Sequence, residues 1–297
     1  MKTSKEYHIT VGPFIFSVRS DIPALHRYLE HHYDACQLNT QEDHFVDFYI
    51  EVNHGSWYRR LYKPQAIFKF NQHSPFKPLP LDQAHAFLEW GMNWVIASQA
   101  HQFFMLHAAT VAKDGQGIII SAPSGSGKST LCAYLASQGW KLLSDELALI
   151  DPDSMELYGL GRPINLKNQS IHLLSDYYHR EQFSAVAKDT HKGTISLLKP
   201  ASGSVLNSDD SVKPAHIVFV QYNPAEECYC ESVEPALALT EIIRNSFNFS
   251  LLNKLGFACA RELVTNTPVS YIEYNSFEAC EAVILDLLSK KGQQNAC

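Results

Sequence analysis

Ser121-Ala-Pro-Ser-Gly-Ser-Gly-Lys-Ser-Thr130 decides how the rest of the chain is read. An apolar run, Gly117-Ile-Ile-Ile-Ser121, leads into it, and a stretch of helical character, Lys128–Gln138, leaves it. A strand, a glycine-rich turn and a helix in that order are the setting of a phosphate-binding loop. Gly125 and Gly127 let the backbone turn tightly, so that several N–H groups can face one anion, and the helix N-terminus behind them adds positive partial charge. The candidate phosphate contacts are Ser124, Gly125, Ser126, Gly127, Lys128, Ser129 and Thr130. Lys128 supplies a full charge for β- and γ-phosphates, and the Ser129 hydroxyl suits Mg²⁺. Ala122 stands where the usual pattern has its first glycine.

Around this loop, strand patterns alternate with helix patterns. Strands are expected at Phe103–Val111, Gly117–Ser121, Trp140–Ser144, Leu147–Ile150, His216–Tyr222 and Ser270–Tyr274. Helices are expected at Lys128–Gln138, Pro235–Phe249, Leu251–Leu263 and Ser276–Lys290. Such alternation argues for an α/β domain whose sheet is covered by helices. Residues 184–213 break the pattern with Ser, Gly, Asp and Lys, and read as a lid, a binding loop or a disordered stretch.

The first 80 residues read differently. Tyr7–Val11, Phe14–Val18, Phe45–Val52 and Ala66–Phe70 have strand character, with Gly12-Pro13 as a turn and a helix near Ile22–His31. Pro75, Pro78 and Pro80 suggest a linker. Asp82 can cap a helix that runs to about Ala100, whose Phe87, Trp90, Trp94 and Val95 form an apolar stripe read as a joint between the two halves. The division expected is therefore a β-rich accessory domain with its linking helix over residues 1–100 and an ATP-binding domain over 101–297.

Composition narrows the function classes. The chain has 297 residues, 45% hydrophobic and 19% charged, with a net charge of −7. That supports a sizeable core and argues against a protein that coats nucleic acid; Arg59 and Arg60 are a pair and not a basic stripe. The N-terminal residues lack the apolar segment of a signal peptide, and no long uncharged apolar run suggests a membrane span. Seven scattered cysteines read as reduced thiols, so a cytoplasmic location is expected. Cys228-Tyr-Cys230 lacks the second pair that a zinc site needs and reads as part of a strand.

Four further positions carry chemistry. His107 lies in an apolar strand ahead of the loop; a lone strand histidine is more often a core residue. Asp145-Glu146 ends an apolar strand soon after the loop's helix, where one carboxylate can serve Mg²⁺ and the other can take the proton of an attacking hydroxyl. Glu156-Leu-Tyr-Gly-Leu-Gly-Arg-Pro-Ile-Asn-Leu166 has two glycines that permit close approach to a ligand, with Arg162 and Lys167 able to neutralise phosphate. Lys188-Asp-Thr-His-Lys-Gly-Thr194, with Lys192, could fold over a substrate or be a solvated loop.

In this order, a His in a strand, the glycine-rich loop, an acidic pair and Glu-x-x-Gly-Leu-Gly, the chain resembles the HPr kinase/phosphorylase family and, within it, the HprK-related kinase A group. The residues that carry the resemblance are His107, Gly125–Thr130, Asp145-Glu146, and Glu156 with Gly159-Leu160-Gly161; Leu88–Trp94, Gly159–Ile164 and Lys192–Thr194 match phrases of the narrower group. The acid pair is Asp-Glu where the family has Asp-Asp, and Tyr158 stands where the family has Arg. The resemblance implies a phosphoenolpyruvate carboxykinase-like P-loop kinase core, ATP and Mg²⁺ as cofactors, and phosphoryl transfer to a hydroxyl, often a serine. By the same resemblance Asp145 matches the base, Glu146 and Glu156 match acidic positions near the metal, His107 matches the motif His beside the catalytic Asp, and a homo-oligomer is expected. The acceptor stays open between a protein, a peptide and a small molecule. A nucleotide-binding regulator without transferase activity is the competing class.

Overall fold

The structure, a computed structural model, describes residues 4–40, 44–56, 62–123, 125–190, 193–201, 203–205 and 210–294. The chain forms two compact units, residues 1–99 with 165–199, and residues 100–164 with 200–297. Residues 165–199, which the sequence reading puts with residues 101–297, group here with residues 1–99.

The first unit begins with β1 (Lys5–Val11) and β2 (Phe14–Ser20), paired as a hairpin through Gly12 at φ 57°. After α1 (Pro23–His32) and the short β3 (Gln37–Leu38) come β4 (Phe48–His54), β5 (Gln65–Phe70) and β6 (Leu79–Pro80). The sheet order is β3-β1-β2-β4-β5-β6. The proline-rich stretch is thus no linker: it ends in an edge strand, where the missing proline N–H does no harm. α2 (Ala84–Gln99) packs on β4 and β5. Its aromatic residues, read as an inter-domain joint, pack within this unit: Phe87 lies against Phe68 and Phe76, and Trp94 against Phe70 and Phe76.

From Ala100 the chain builds the second unit with β7 (Phe104–Leu106), β8 (Ala109–Lys113), β9 (Gln116–Ser121), α3 (Lys128–Ser137), β10 (Lys141–Ser144), β11 (Ala148–Ile150) and β12 (Leu157–Tyr158). The expected strand Phe103–Val111 is two strands, because β7 pairs with β11 while β8 pairs with β9 and β10. The change of partner leaves His107 and Ala108 between them.

The chain then returns to the first unit as β13 (Ile164–Lys167), α4 (Gln169–Leu173), β14 (Ala187–Thr190) and β15 (Gly193–Leu198). β13, β15 and β14 form a three-stranded sheet, and β15 packs on α2. The Lys199 ammonium bonds the His31 carbonyl and the Asp34 carboxylate, each at 2.7 Å. Within the expected lid over 184–213, the described residues 187–190, 193–198 and 211–213 are strand, with Ile195, Leu197 and Leu198 buried.

The second unit is completed by β16 (Ser211–Tyr222), β17 (Tyr229–Ser232), α5 (Pro235–Arg244), α6 (Phe249–Leu252), α7 (Lys254–Asn266), β18 (Val269–Tyr274) and α8 (Phe277–Gln294). β16 runs parallel to both β9 and β18. Ile118, Ile119 and Ile120 are fully buried, as a strand covered on both faces requires. Ile119, Leu143 and Ile217 join Ile242 of α5 and Leu263 of α7 in one core cluster. Alternate residues point the other way, and α3 and α8 pack on β8, β16 and β18. Among the described residues no helix is long and apolar enough to cross a membrane.

Candidate active site

Strand polarity builds the site. β8 is antiparallel to β9 and β10 is antiparallel to β8, so β9 and β10 run the same way with β8 between them. Thr110 of β8 is in register with Ile119 on one side and Ser144 on the other. The carboxyl ends of β9 and β10 and the amino end of β8 therefore share one edge of the sheet. The glycine loop follows β9, Asp145 follows β10, and His107 precedes β8; two strand spacings, about 10 Å, separate β9 from β10.

At this edge Gly125 and Gly127 adopt φ 88° and 89°, a region that L-residues avoid. A Cβ on Gly125 would meet nothing within 4 Å, whereas one on Gly127 would lie 3.2 Å from the Tyr274 hydroxyl. The Ser126 hydroxyl donates to the Pro123 carbonyl at 2.5 Å, and Leu131 N–H donates to Gly127 O at 2.9 Å to start α3. Lys128 is buried, and its ammonium donates to the His107 carbonyl at 3.2 Å. Ser129 is half-buried and Thr130 is buried.

Asp145 is 6% exposed. The Ser144 hydroxyl accepts from Leu147 N–H at 3.1 Å and from Glu146 N–H at 3.4 Å, which fixes the turn that carries both acids. Cys132, one turn into α3, points its thiol at the Ser144 carbonyl, 3.8 Å away. Burial pushes that thiol well above its ordinary pKa; the Asp145 charge adds to the rise and the Lys128 charge opposes it. Acid and ammonium thus both act on one side chain of the loop's helix.

Three further motifs separate. Leu160 and Gly161 donate their N–H groups to the Leu143 carbonyl at 2.8 and 3.3 Å, which brings buried Arg162 to the edge that holds Asp145. Glu156 goes elsewhere. Its carbonyl accepts from Asp151 N–H, and its carboxylate accepts from the Ser211 hydroxyl. Ser211 precedes Lys213, which is in register with Gln116 at the start of β9. The loop lies past the other end of that strand, about 17 Å away. The two residues of β12 lie between Glu156 and the Gly-Leu-Gly turn. Glu156 is not beside Ser129 and Glu146.

His107 sits in the bend after β7 and not in a strand. Its N–H donates to Asn245 O at 2.7 Å, and its ring lies 5.7 Å from that of Phe247. Lys167 ends β13 in the other unit. Ser124, Lys192, Arg59 and Arg60 lie outside the described residues.

Sequence reasoning passed over Tyr222 and Tyr274. They end β16 and β18 in register, with ring centroids 5.6 Å apart, next to Gly127. Both are the last residues of two expected strands, and carboxyl ends of parallel strands are where α/β sheets meet ligands.

Comparison with known proteins adds the following. The family model described as SynChlorMet cassette protein ScmC matches residues 82–161, which include the glycine loop, His107 and the Asp145-Glu146 pair. No curated protein matches the sequence. Among solved structures, the Hpr(Ser) kinase/phosphatase from Coxiella burnetii aligns over 65% of this chain and 97% of its own, with 11% sequence identity and a TM-score of 0.30.

Proposed function

We propose that the chain is an ATP-dependent phosphotransferase that moves the γ-phosphoryl group to a hydroxyl, a serine of a protein or peptide being the leading acceptor. The observation that carries this reading is the shared sheet edge of two positive-φ glycines, a buried lysine and a buried aspartate. A turn whose backbone N–H groups can face one anion, with a lysine and a carboxylate at the same sheet edge, offers donors and a charge for phosphate and an acceptor for a hydroxyl proton.

The residues fit a nucleoside triphosphate and Mg²⁺. The space over Gly125 is open, and the amides that follow, with Lys128, suit phosphate oxygens. Ser129 and Glu146 offer the hard oxygens that Mg²⁺ prefers, and an ion of this kind takes much of its shell from phosphate and water. Mg²⁺ supplies charge neutralisation of the phosphates. Lys128 adds a second neutralising charge. Asp145 orients the acceptor hydroxyl and takes its proton as that oxygen bonds to the γ-phosphorus. The bond from the γ-phosphorus to the bridging oxygen breaks, and ADP leaves. Arg162 offers a further cation at the same edge, and His107 holds Lys128 through its carbonyl.

The test is transfer of label from γ-labelled ATP to proteins of a cell lysate. Wild type should label an acceptor. Asp145→Asn should keep nucleotide binding and lose transfer by about 100-fold or more, the scale of general-base catalysis. Full activity of Asp145→Asn would remove the base from the proposal. Ala122 and Tyr158, the two departures from the familiar patterns, favour the regulator reading, in which label is bound but never moved.

A further inference from the structure

The loop accounts for phosphates but not for the rest of a nucleotide. If the terminal phosphate points toward Lys128 and Asp145, on the β8–β10 side of β9, the other end of the molecule lies on the opposite side of β9, where β16 and then β18 stand. The strand ends there carry aromatic rings. Tyr222 is 45% exposed, and its Cβ lies 3.9 Å from the point where a Cβ on Gly127 would be. Tyr274 is fully buried behind it; the row of rings continues with Phe277, 6.4 Å from Tyr274, and Tyr134, 5.1 Å from Phe277. The Tyr222 backbone is held as well. The next residue's N–H, that of Asn223, donates to Tyr274 O at 2.8 Å, and the Asn223 side chain bonds Glu273.

A second observation is independent of the first. The Tyr274 hydroxyl is completely buried against Gly127 and has no hydrogen-bond partner among the described residues. Burial pushes its pKa upward, so it stays a neutral donor. A buried hydroxyl without a partner costs about 1–3 kcal/mol, and this one faces the loop glycine that a phosphate would order. The unpartnered hydroxyl thus lies directly behind the glycine turn that a phosphate would order.

We infer that Tyr222 is the platform on which the nucleobase stacks, with Tyr274 bracing its ring and facing the loop at Gly127. The inference rests on the phosphate-loop reading and extends it to the base. Stacking accepts any aromatic base and contributes about 1–3 kcal/mol as read by alanine substitution. The platform therefore sets a preference for nucleotides over bare polyphosphate, not for one base over another.

The test is calorimetric titration of the full chain with ATP·Mg²⁺ and, separately, with tripolyphosphate·Mg²⁺. Wild type should bind ATP more tightly than tripolyphosphate. Tyr222→Ala should weaken ATP about 5- to 100-fold and leave tripolyphosphate unchanged, and Tyr222→Phe should restore ATP binding. Equal weakening of both ligands in Tyr222→Ala would mean that the ring only supports the loop. Unchanged ATP binding, or a wild type that binds ATP no better than tripolyphosphate, would overturn the platform while the phosphate loop stands. A wild type that binds neither would overturn both.

Discussion

Both units bury charged side chains, but in different settings. In the first, Glu89 of α2 is 3% exposed and accepts from the Tyr28 hydroxyl at 2.8 Å and the Tyr33 hydroxyl at 2.7 Å. The carboxylate is enclosed among side chains of the unit's own core, so it pins α2 to α1 and the turn after it. In the second, Lys128 and Asp145 are nearly as buried, yet they sit where strands stop and a glycine loop begins. Burial of charge does not by itself mark a function. What separates the two cases is the surroundings: packed helices around Glu89, and around Lys128 a backbone forced into φ values that serve an anion better than a core.

Three substitutions sharpen this contrast. Glu89→Leu should have the largest effect on stability. It leaves two buried tyrosine hydroxyls without their acceptor, at about 1–3 kcal/mol each. Thermal unfolding should therefore drop sharply, while ATP·Mg²⁺ affinity at low temperature stays as in wild type. Lost affinity with unchanged unfolding would break the comparison. Gly91→Ala comes next. Its Cβ would land 1.9 Å from the Phe68 ring, well inside contact distance. A cost of about 1–3 kcal/mol is expected from overpacking, again read by thermal unfolding and again without effect on binding. Gly127→Ala should show the reverse. The αL strain costs about 1–2 kcal/mol, the smallest stability change of the three, but the loop must shift away from Tyr274 and nucleotide binding should be lost. Retained binding in Gly127→Ala would show that the loop conformation is not what holds the phosphates.

The strand–loop–helix at 117–138 was legible because its signals are local. Ile118–Ile120 has the composition of a strand covered on both faces, the glycines mark the turn, and Lys128 opens the helix. Asp145 was legible for a related reason, since an apolar strand before it and a turn after it put an acid at a strand end. The failures are tertiary. Nothing between Ile164 and Asn165 announces that the chain leaves one unit for the other. β15 is hidden because Ile195, Leu197 and Leu198 lie in a stretch rich in polar residues, and it is a strand that packs on α2. The partners of Glu156, Asp151 and Ser211, lie outside its own motif and leave no mark in it. His107 looked like a strand residue because the change of partner between β7 and β8 leaves no local mark.

The central claim is that the turn at Gly125 and Gly127, with Lys128, holds the terminal phosphates of a nucleotide. Calorimetry of wild type and Lys128→Ala with ATP·Mg²⁺, with circular dichroism to show that both are folded, tests it most directly. The account predicts saturable one-to-one binding by wild type and loss of at least about 100-fold in affinity for Lys128→Ala, the scale of about 2.7 kcal/mol for one charged contact. Equal binding by the two proteins, or no binding by a folded wild type, would contradict it.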